Sequence, residues 1–375
     1  MGIPPFTTSP PASPHPVRVL IVDDSATIRG FIARTLRTDP EILVVASAAD
    51  GQMAIDVLRK HPDIEIIVLD IEMPDMDGLT ALPILLKTVP GVQVIMASTL
   101  TLRNAEISFK ALALGAADYV PKPSARDLGS ATEFQRELNE KIKAIARAAR
   151  KGRREAAAPT TIPSSSAAQS PVSSLPLPPV SIMERADALA IASSTGGPQA
   201  LVEMFKGLAG KLARVPVFVT QHMPPSFTTI LAQNIAKAAG TPCYEAVDGE
   251  TVKPGVIYVA PGHFHLIVEA AATGANVVRI TQSPPENFCR PSADPMFRSL
   301  ASIYGRKLLG VVLTGMGSDG KAGAEQIVAA GGQILAQDEA TCVVWGMPRA
   351  VAEAKLAKAV LPLPQLPLYI LRAIA

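Results

Sequence analysis

The chain has little cysteine and no pairing pattern in what it has. Cys243, Cys289 and Cys342 are odd in number, widely scattered and without a CxxC pair. That excludes a disulfide frame and a cysteine zinc site, and points to reduced thiols in a cytoplasmic protein. All three read as buried small residues and not as nucleophiles. Long apolar runs are missing too. No stretch reaches the roughly 18 consecutive apolar residues that a membrane span requires. Residues 1–16, with six prolines, lack the basic region and apolar core of a secretory signal and read as a disordered tail. Neither charge sign dominates: 35 Lys and Arg against 33 Asp and Glu leave +2, so neither a nucleic-acid coat nor direct membrane insertion is expected. One basic run, Lys141 to Arg154, holds seven cations and no acid; it reads as the solvated C-terminal end of a helix.

What is present suits two α/β domains. Hydrophobic residues are 48% of 375, enough for two ordinary cores. Residues 156–182 carry six prolines, seven serines and no charge, so 151–182 reads as an extended tether between a domain at 17–150 and another at 183–375. No helix-turn-helix with a basic face follows the tether, which disfavours a transcription factor.

In the first domain, strand-like runs at Val17–Val22, Ile42–Ala48, Ile64–Leu69, Val92–Ala97 and Asp118–Pro121 alternate with helical spacing. That pattern predicts a doubly wound parallel sheet, whose ligands sit beyond the carboxyl ends of its strands. Those ends carry Asp23-Asp24, Asp70, Ser98-Thr99 and Lys122. Three carboxylates in one pocket repel unless a cation intervenes, and hard oxygen donors suit Mg²⁺ together with a phosphoryl group. Asp70 can then accept phosphate as an acyl phosphate, with Lys122 and Ser98 placed to hold its oxygens. With Asp70-Ile-Glu-Met-Pro-Asp-Met-Asp-Gly and Lys122-Pro123, residues 17–150 resemble a two-component receiver domain. The resemblance implies a flavodoxin-like fold, phosphorylation at Asp70 by a histidine kinase, and an acidic pocket of Asp23 and Asp24. It further implies Mg²⁺ held by Asp24, Asp70 and the carbonyl of Glu72, and a switch pair of Tyr119 with Ser98 or its neighbour Thr99.

In the second domain a strand at Ala188–Ser193 runs into Ser194, Thr195 and two glycines, then a helix begins at Pro198. This turn fits a serine nucleophile facing the N–H groups of a helix start, and equally a phosphate loop. Two further strands end in His222 and, after Gly-Met-Gly-Ser, in Asp319. A serine needs a base within hydrogen-bond reach, and the base needs a carboxylate to fix its tautomer. That coincidence favours an esterase over a non-catalytic phosphate-binding module. His263 and His265 share a strand face but lack a third metal ligand. A mostly parallel sheet with a small antiparallel hairpin is expected, and helix from about Pro348 with a proline break at Pro362–Pro367.

The stretches Ser193-Ser-Thr-Gly-Gly, Gln221-His-Met-Pro, Tyr258-Val-Ala-Pro-Gly-His-Phe-His, Arg290-Pro-Ser, Leu313-Thr-Gly-Met-Gly-Ser-Asp-Gly and Gly346-Met-Pro-Arg resemble the chemotaxis protein-glutamate methylesterases. By that resemblance Ser194, and not Ser193, is the nucleophile, His222 the base and Asp319 its partner. Met316 and Thr195 supply the oxyanion hole, and the ester chemistry uses no cofactor. The implied substrates are methylated glutamates of chemoreceptor cytoplasmic domains, with glutamine deamidation by the same chemistry. Phosphorylation is expected to free a cleft that the receiver otherwise covers.

Overall fold

The structure, a computed structural model, describes residues 15–122, 128–157 and 185–375. Most of the expected tail and residues 158–182 of the expected tether lie outside these ranges. The chain folds as two compact units.

The N-terminal part of the chain alternates strand and helix: β1 (Val17–Val22), α1 (Ala26–Arg37), β2 (Ile42–Ala48), α2 (Gly51–Lys60), β3 (Ile66–Asp70), α3 (Gly78–Thr88), β4 (Gln93–Ser98), α4 (Leu102–Ala113), β5 (Asp118–Pro121) and α5 (Leu128–Ala157). The five strands lie in the order β2-β1-β3-β4-β5, and every pairing is parallel. Strands β1 and β3 are near-continuous apolar runs because helices cover both faces of such a sheet. Helix starts are set by side-chain caps: Ser25, Asp50 and Asp77 accept the N–H of Ile28, Met53 and Thr80 at 3.4, 2.8 and 2.7 Å. Between β1 and β3 the chain switches direction across the sheet, and this sets Asp23 and Asp70 side by side. Gly78 is required where α3 starts, since a Cβ there would collide with the backbone oxygen of Asp70.

Helix α5 runs on to Ala157, past the expected domain border at 150. The basic run on it ends exposed, at Lys151, Arg153 and Arg154, as expected of a solvated helix end, but its start differs. Lys141 is buried against Asp118 (3.0 Å) and Glu137 (2.8 Å), Lys143 meets Asp39 (2.6 Å), and Arg147 meets Glu41 (2.6 Å). Acids from the loop before β2 and the start of β5 partner cations that look unpaired along the sequence.

The second unit contains β6 (Ala188–Ser193), α6 (Gly197–Gly207), β7 (Val217–Gln221), α7 (Phe227–Ala239), β8 (Cys243–Glu245), β9 (Ile257–Val259), β10 (His265–Ala270), β11 (Asn276–Thr281), α8 (Ala293–Tyr304), β12 (Leu308–Val312), α9 (Lys321–Ala329), β13 (Gln333–Gln337), α10 (Met347–Glu353), β14 (Ala357–Leu361) and α11 (Leu366–Ile374). Seven strands pair in parallel in the order β14-β13-β12-β6-β7-β9-β8, and β10 with β11 forms a separate antiparallel hairpin. Residues 357–361 are thus a strand and not the expected helix. As the edge of the sheet β14 has only one paired side, and its alternating burial gives a weak sequence signal. Strands β12, β6 and β7 are neighbours at the centre, so their carboxyl ends open onto one crevice. Phe218 and Tyr258 stack beneath it with ring centroids 5.4 Å apart.

Candidate active site

The turn after β6 distinguishes its two serines. Ser193 is fully buried, and its hydroxyl donates to Gln221 Oε1 at 2.7 Å. The same amide returns a bond from Nε2 to the Ser194 carbonyl at 2.9 Å. Ser194 is partly exposed and begins the turn into α6. Gly196 holds φ +74°, and a Cβ on Gly197 would collide with Gln221 Oε1. The doublet is therefore one structural serine and one available serine.

His222 follows β7, tied to the turn by its N–H donating to the Ser193 carbonyl at 3.2 Å. Its Nε2 lies 2.6 Å from Asp319 Oδ2. Asp319 is buried and also accepts from Ala293 N (2.6 Å), Ser292 Oγ (2.7 Å), Gly320 N (2.9 Å), Asn287 Nδ2 (2.9 Å) and Asp294 N (3.2 Å). Burial alone would raise its pKa, but His222 and these N–H donors outweigh burial and hold it well below the usual carboxylate range. For His222 burial opposes the charged ring, yet Cys289 and Asp319 together push its pKa well above the ordinary value of 6.5.

The β12 side completes the surround. A Cβ on Gly315 would sit 2.9 Å from Ser194 Cβ, so this glycine lets the chain pass directly against the serine. Among the described residues no hydrogen bond engages the N–H of Met316 or of Thr195. The structure thus brings Ser194, His222, Asp319, Met316 and Thr195 to one crevice. Sequence reasoning missed Cys289, whose Sγ lies 3.4 Å from His222 Nδ1, and the Ser292, Asp294 and Asn287 groups around Asp319. His265 is a fully buried structural residue: Ser292 N donates to its Nδ1 at 3.1 Å, and its Nε2 lies 3.2 Å from the Pro284 carbonyl.

In the first unit, ligand atoms of Asp23, Asp24 and Asp70 lie within 4.8 Å of one another. Lys122 Nζ reaches Asp23 at 2.6 Å and Asp70 at 2.7 Å. Burial raises the Asp70 pKa, with Lys122 pulling the other way. An all-oxygen donor set of this kind fits Mg²⁺. Ser98 ends β4, buried, with its carbonyl accepting the Lys122 N–H at 2.7 Å. Tyr119 is buried on β5, its ring centroid 5.1 Å from Lys141 Nζ. The Glu72 side chain is exposed. Among the described residues no helix is long and apolar enough to cross a membrane.

The sequence profile of the CheB methylesterase family matches residues 189–370, and that of the response regulator receiver domain matches residues 19–132. A protein-glutamate methylesterase/protein-glutamine glutaminase of group 2 operon from Rhodospirillum centenum is 52% identical over 378 residues, covering 96% of this chain and 94% of that one. A protein-glutamate methylesterase/protein-glutamine glutaminase from Azospirillum brasilense is 52% identical over 369 residues, covering 96% and 93%. The solved catalytic domain of Thermotoga maritima CheB methylesterase is 40% identical, covering 50% of this chain and 97% of that one, with a TM-score of 0.48. A receiver sheet and a seven-stranded parallel hydrolase sheet in one chain, matched nearly end to end by these relatives, place the chain in the protein-glutamate methylesterase/protein-glutamine glutaminase family of response regulators.

Proposed function

We propose that the chain hydrolyses γ-methyl esters of glutamate side chains on the cytoplasmic domains of chemoreceptors, and deamidates receptor glutamines, under control of phosphorylation at Asp70. The observation that carries this reading is the 2.6 Å contact of His222 Nε2 with Asp319, with the His222 N–H bonded to the Ser193 carbonyl, one residue before the partly exposed Ser194. With Nε2 donating to the carboxylate, Nδ1 keeps the lone pair and is the basic atom. Ser194 Oγ attacks the ester carbonyl as Nδ1 takes its proton. The free N–H groups of Met316 and Thr195 stabilise the developing oxyanion. Nδ1–H then protonates the departing methoxide oxygen, which leaves as methanol, or the amide nitrogen of a glutamine, which leaves as ammonia. Water, deprotonated by the same nitrogen, releases the acyl group from Ser194 as a glutamate carboxylate.

In the receiver, Asp24, Asp70 and the carbonyl of Glu72 would ligate Mg²⁺, with Asp23 completing the acidic pocket. Bound Mg²⁺ would offset the carboxylate charge as Asp70 accepts phosphate from a chemotaxis histidine kinase. Lys122 and Ser98 would hold the phosphoryl oxygens, and Tyr119 would respond with Ser98 as the switch. A receptor cytoplasmic domain as substrate and a cytoplasmic kinase as phosphodonor both support a cytoplasmic site of action. The test is methanol release from methylated receptor: it disappears in Ser194→Ala and rises with an acyl-phosphate donor only when Asp70 is intact.

A further inference from the structure

The turn Glu286–Cys289 grips the His222–Asp319 couple from both ends. It is closed by reciprocal backbone bonds, Cys289 N to Glu286 O at 2.9 Å and Glu286 N to Cys289 O at 3.2 Å. Its two central residues, Asn287 and Phe288, have φ of +52° and +62°, as a type I′ turn demands. Asparagine tolerates that region, whereas a bulky phenylalanine is strained there. Glu286 is anchored to Arg298 on α8 by two bonds of 2.6 and 2.8 Å. From this rigid turn Cys289 Sγ meets His222 Nδ1, while Asn287 Nδ2 reaches Asp294 Oδ2 and Asp319 Oδ1, each at 2.9 Å.

We propose that Asn287 is a positioning residue for the esterase reaction, its side-chain amide clamping Asp319 in the orientation that receives His222 Nε2. The inference rests on the assignment of Ser194, His222 and Asp319 made above. Asp294 and Asp319 are both buried and adjacent, and Asp294 Oδ1 is held separately by Gly323 N at 2.6 Å. Two neighbouring carboxylates repel when both are charged, so without a bridging donor one would turn from the other. Asn287 supplies that donor to both from a position that itself faces solvent. Burial and Asp319 also raise the Asp294 pKa, which favours a single shared negative charge. The titratable groups around the couple are Cys289 and Glu286 on the turn, Asp294 and Arg298 on α8, and His265 on β10.

Asn287→Gly separates side chain from backbone, because glycine suits a positive φ and removes only the amide. In the full-length phosphorylated protein it should lower kcat for methanol release about 10-fold or more with KM unchanged. Removing a donor leaves more negative charge on Asp319, so the acid limb of the kcat–pH profile should move to higher pH. Asn287→Asp, which also tolerates the left-handed region, adds charge and should move the limb further in the same direction. An unchanged kcat and profile in both variants overturns the proposal. So does lower activity that merely follows a lower melting temperature with no shift of the limb. Ser194→Ala is measured alongside: if it still releases methanol, the assignment of the nucleophile fails and this inference with it. If it is inert while both Asn287 variants behave as wild type, the positioning role alone fails.

Discussion

His222 presents Nε2 to Asp319 at 2.6 Å, which leaves Nδ1, 3.4 Å from Cys289 Sγ, as the nitrogen free of the carboxylate and the base in the proposed reaction. The base works only when that nitrogen is unprotonated, and its neighbours raise the pKa of the ring above 6.5. Methanol release by the phosphorylated enzyme should therefore climb with pH along an acid limb lying above 6.5. Asp319→Asn should move the limb down and cost roughly 10²–10⁴-fold in kcat. The stability effect has the opposite sense. The charged His222–Asp319 pair stabilises the fold below the unfolded histidine value, and that contribution is lost as pH rises through the raised folded value. Thermal melts of wild type and His222→Ala across that window check it.

The serine doublet separates activity from stability. Ser194→Ala should abolish methanol release, a loss of about 10³-fold or more, with its melting temperature unchanged. Ser193→Ala should keep measurable turnover yet lose about 1–3 kcal/mol, because it leaves Gln221 Oε1 buried without its donor. The opposite pattern in paired assays and melts would reverse their roles.

The three thiols should differ sharply in reactivity. Burial pushes Cys243 and Cys342 up to about 12, so at pH 8 only about 10⁻⁴ of each is thiolate. Cys289 sits against an imidazole at the crevice. Iodoacetamide should label it first, blocking Nδ1 and stopping methanol release; peptide mass spectrometry reads the site. Cys289→Ser should stay active and resist the reagent. An inert Cys289→Ser beside an active Ser194→Ala would mean that the thiol is the nucleophile.

Metal removal should silence only the first unit. With EDTA, phosphoryl transfer from an acyl-phosphate donor to Asp70 should stop, read as loss of radiolabel, while basal methanol release persists. Lys122→Ala should also weaken labelling, because Lys122 bonds Asp70 directly at 2.7 Å. EDTA-resistant labelling would remove the need for Mg²⁺.

Residues set by strand-to-helix junctions were legible in the sequence. Asp23, Asp70, Ser98, Lys122, Ser194 and His222 each terminate or follow an apolar run, so local pattern placed them. Asn287, Asp294 and Cys289 were not legible, since they reach the site through a turn and a helix start far along the chain. Their residue types are ordinary, and no period marks them. An Asn-Phe pair between prolines and Arg290-Pro291 was the only trace, a weak turn signal. Lys141 misled for the same reason: its acidic partner Asp118 lies 23 positions away on a different element. Strands β8 and β14 escaped because short edge strands carry little periodic signal.

The order of strands also sets when the enzyme becomes dangerous to its substrates. His222 and Asp319 are 97 residues apart, and β12 joins β6 on the edge opposite to β7. The pairing of β6 with β7 sets His222 next to the Ser193–Ser194 turn without any part of β12. The His222 imidazole has no carboxylate until the stretch through Asp319 has docked on the open edge. Full esterase power should thereby depend on the docking of β12 beside β6, which brings Asp319 to the imidazole.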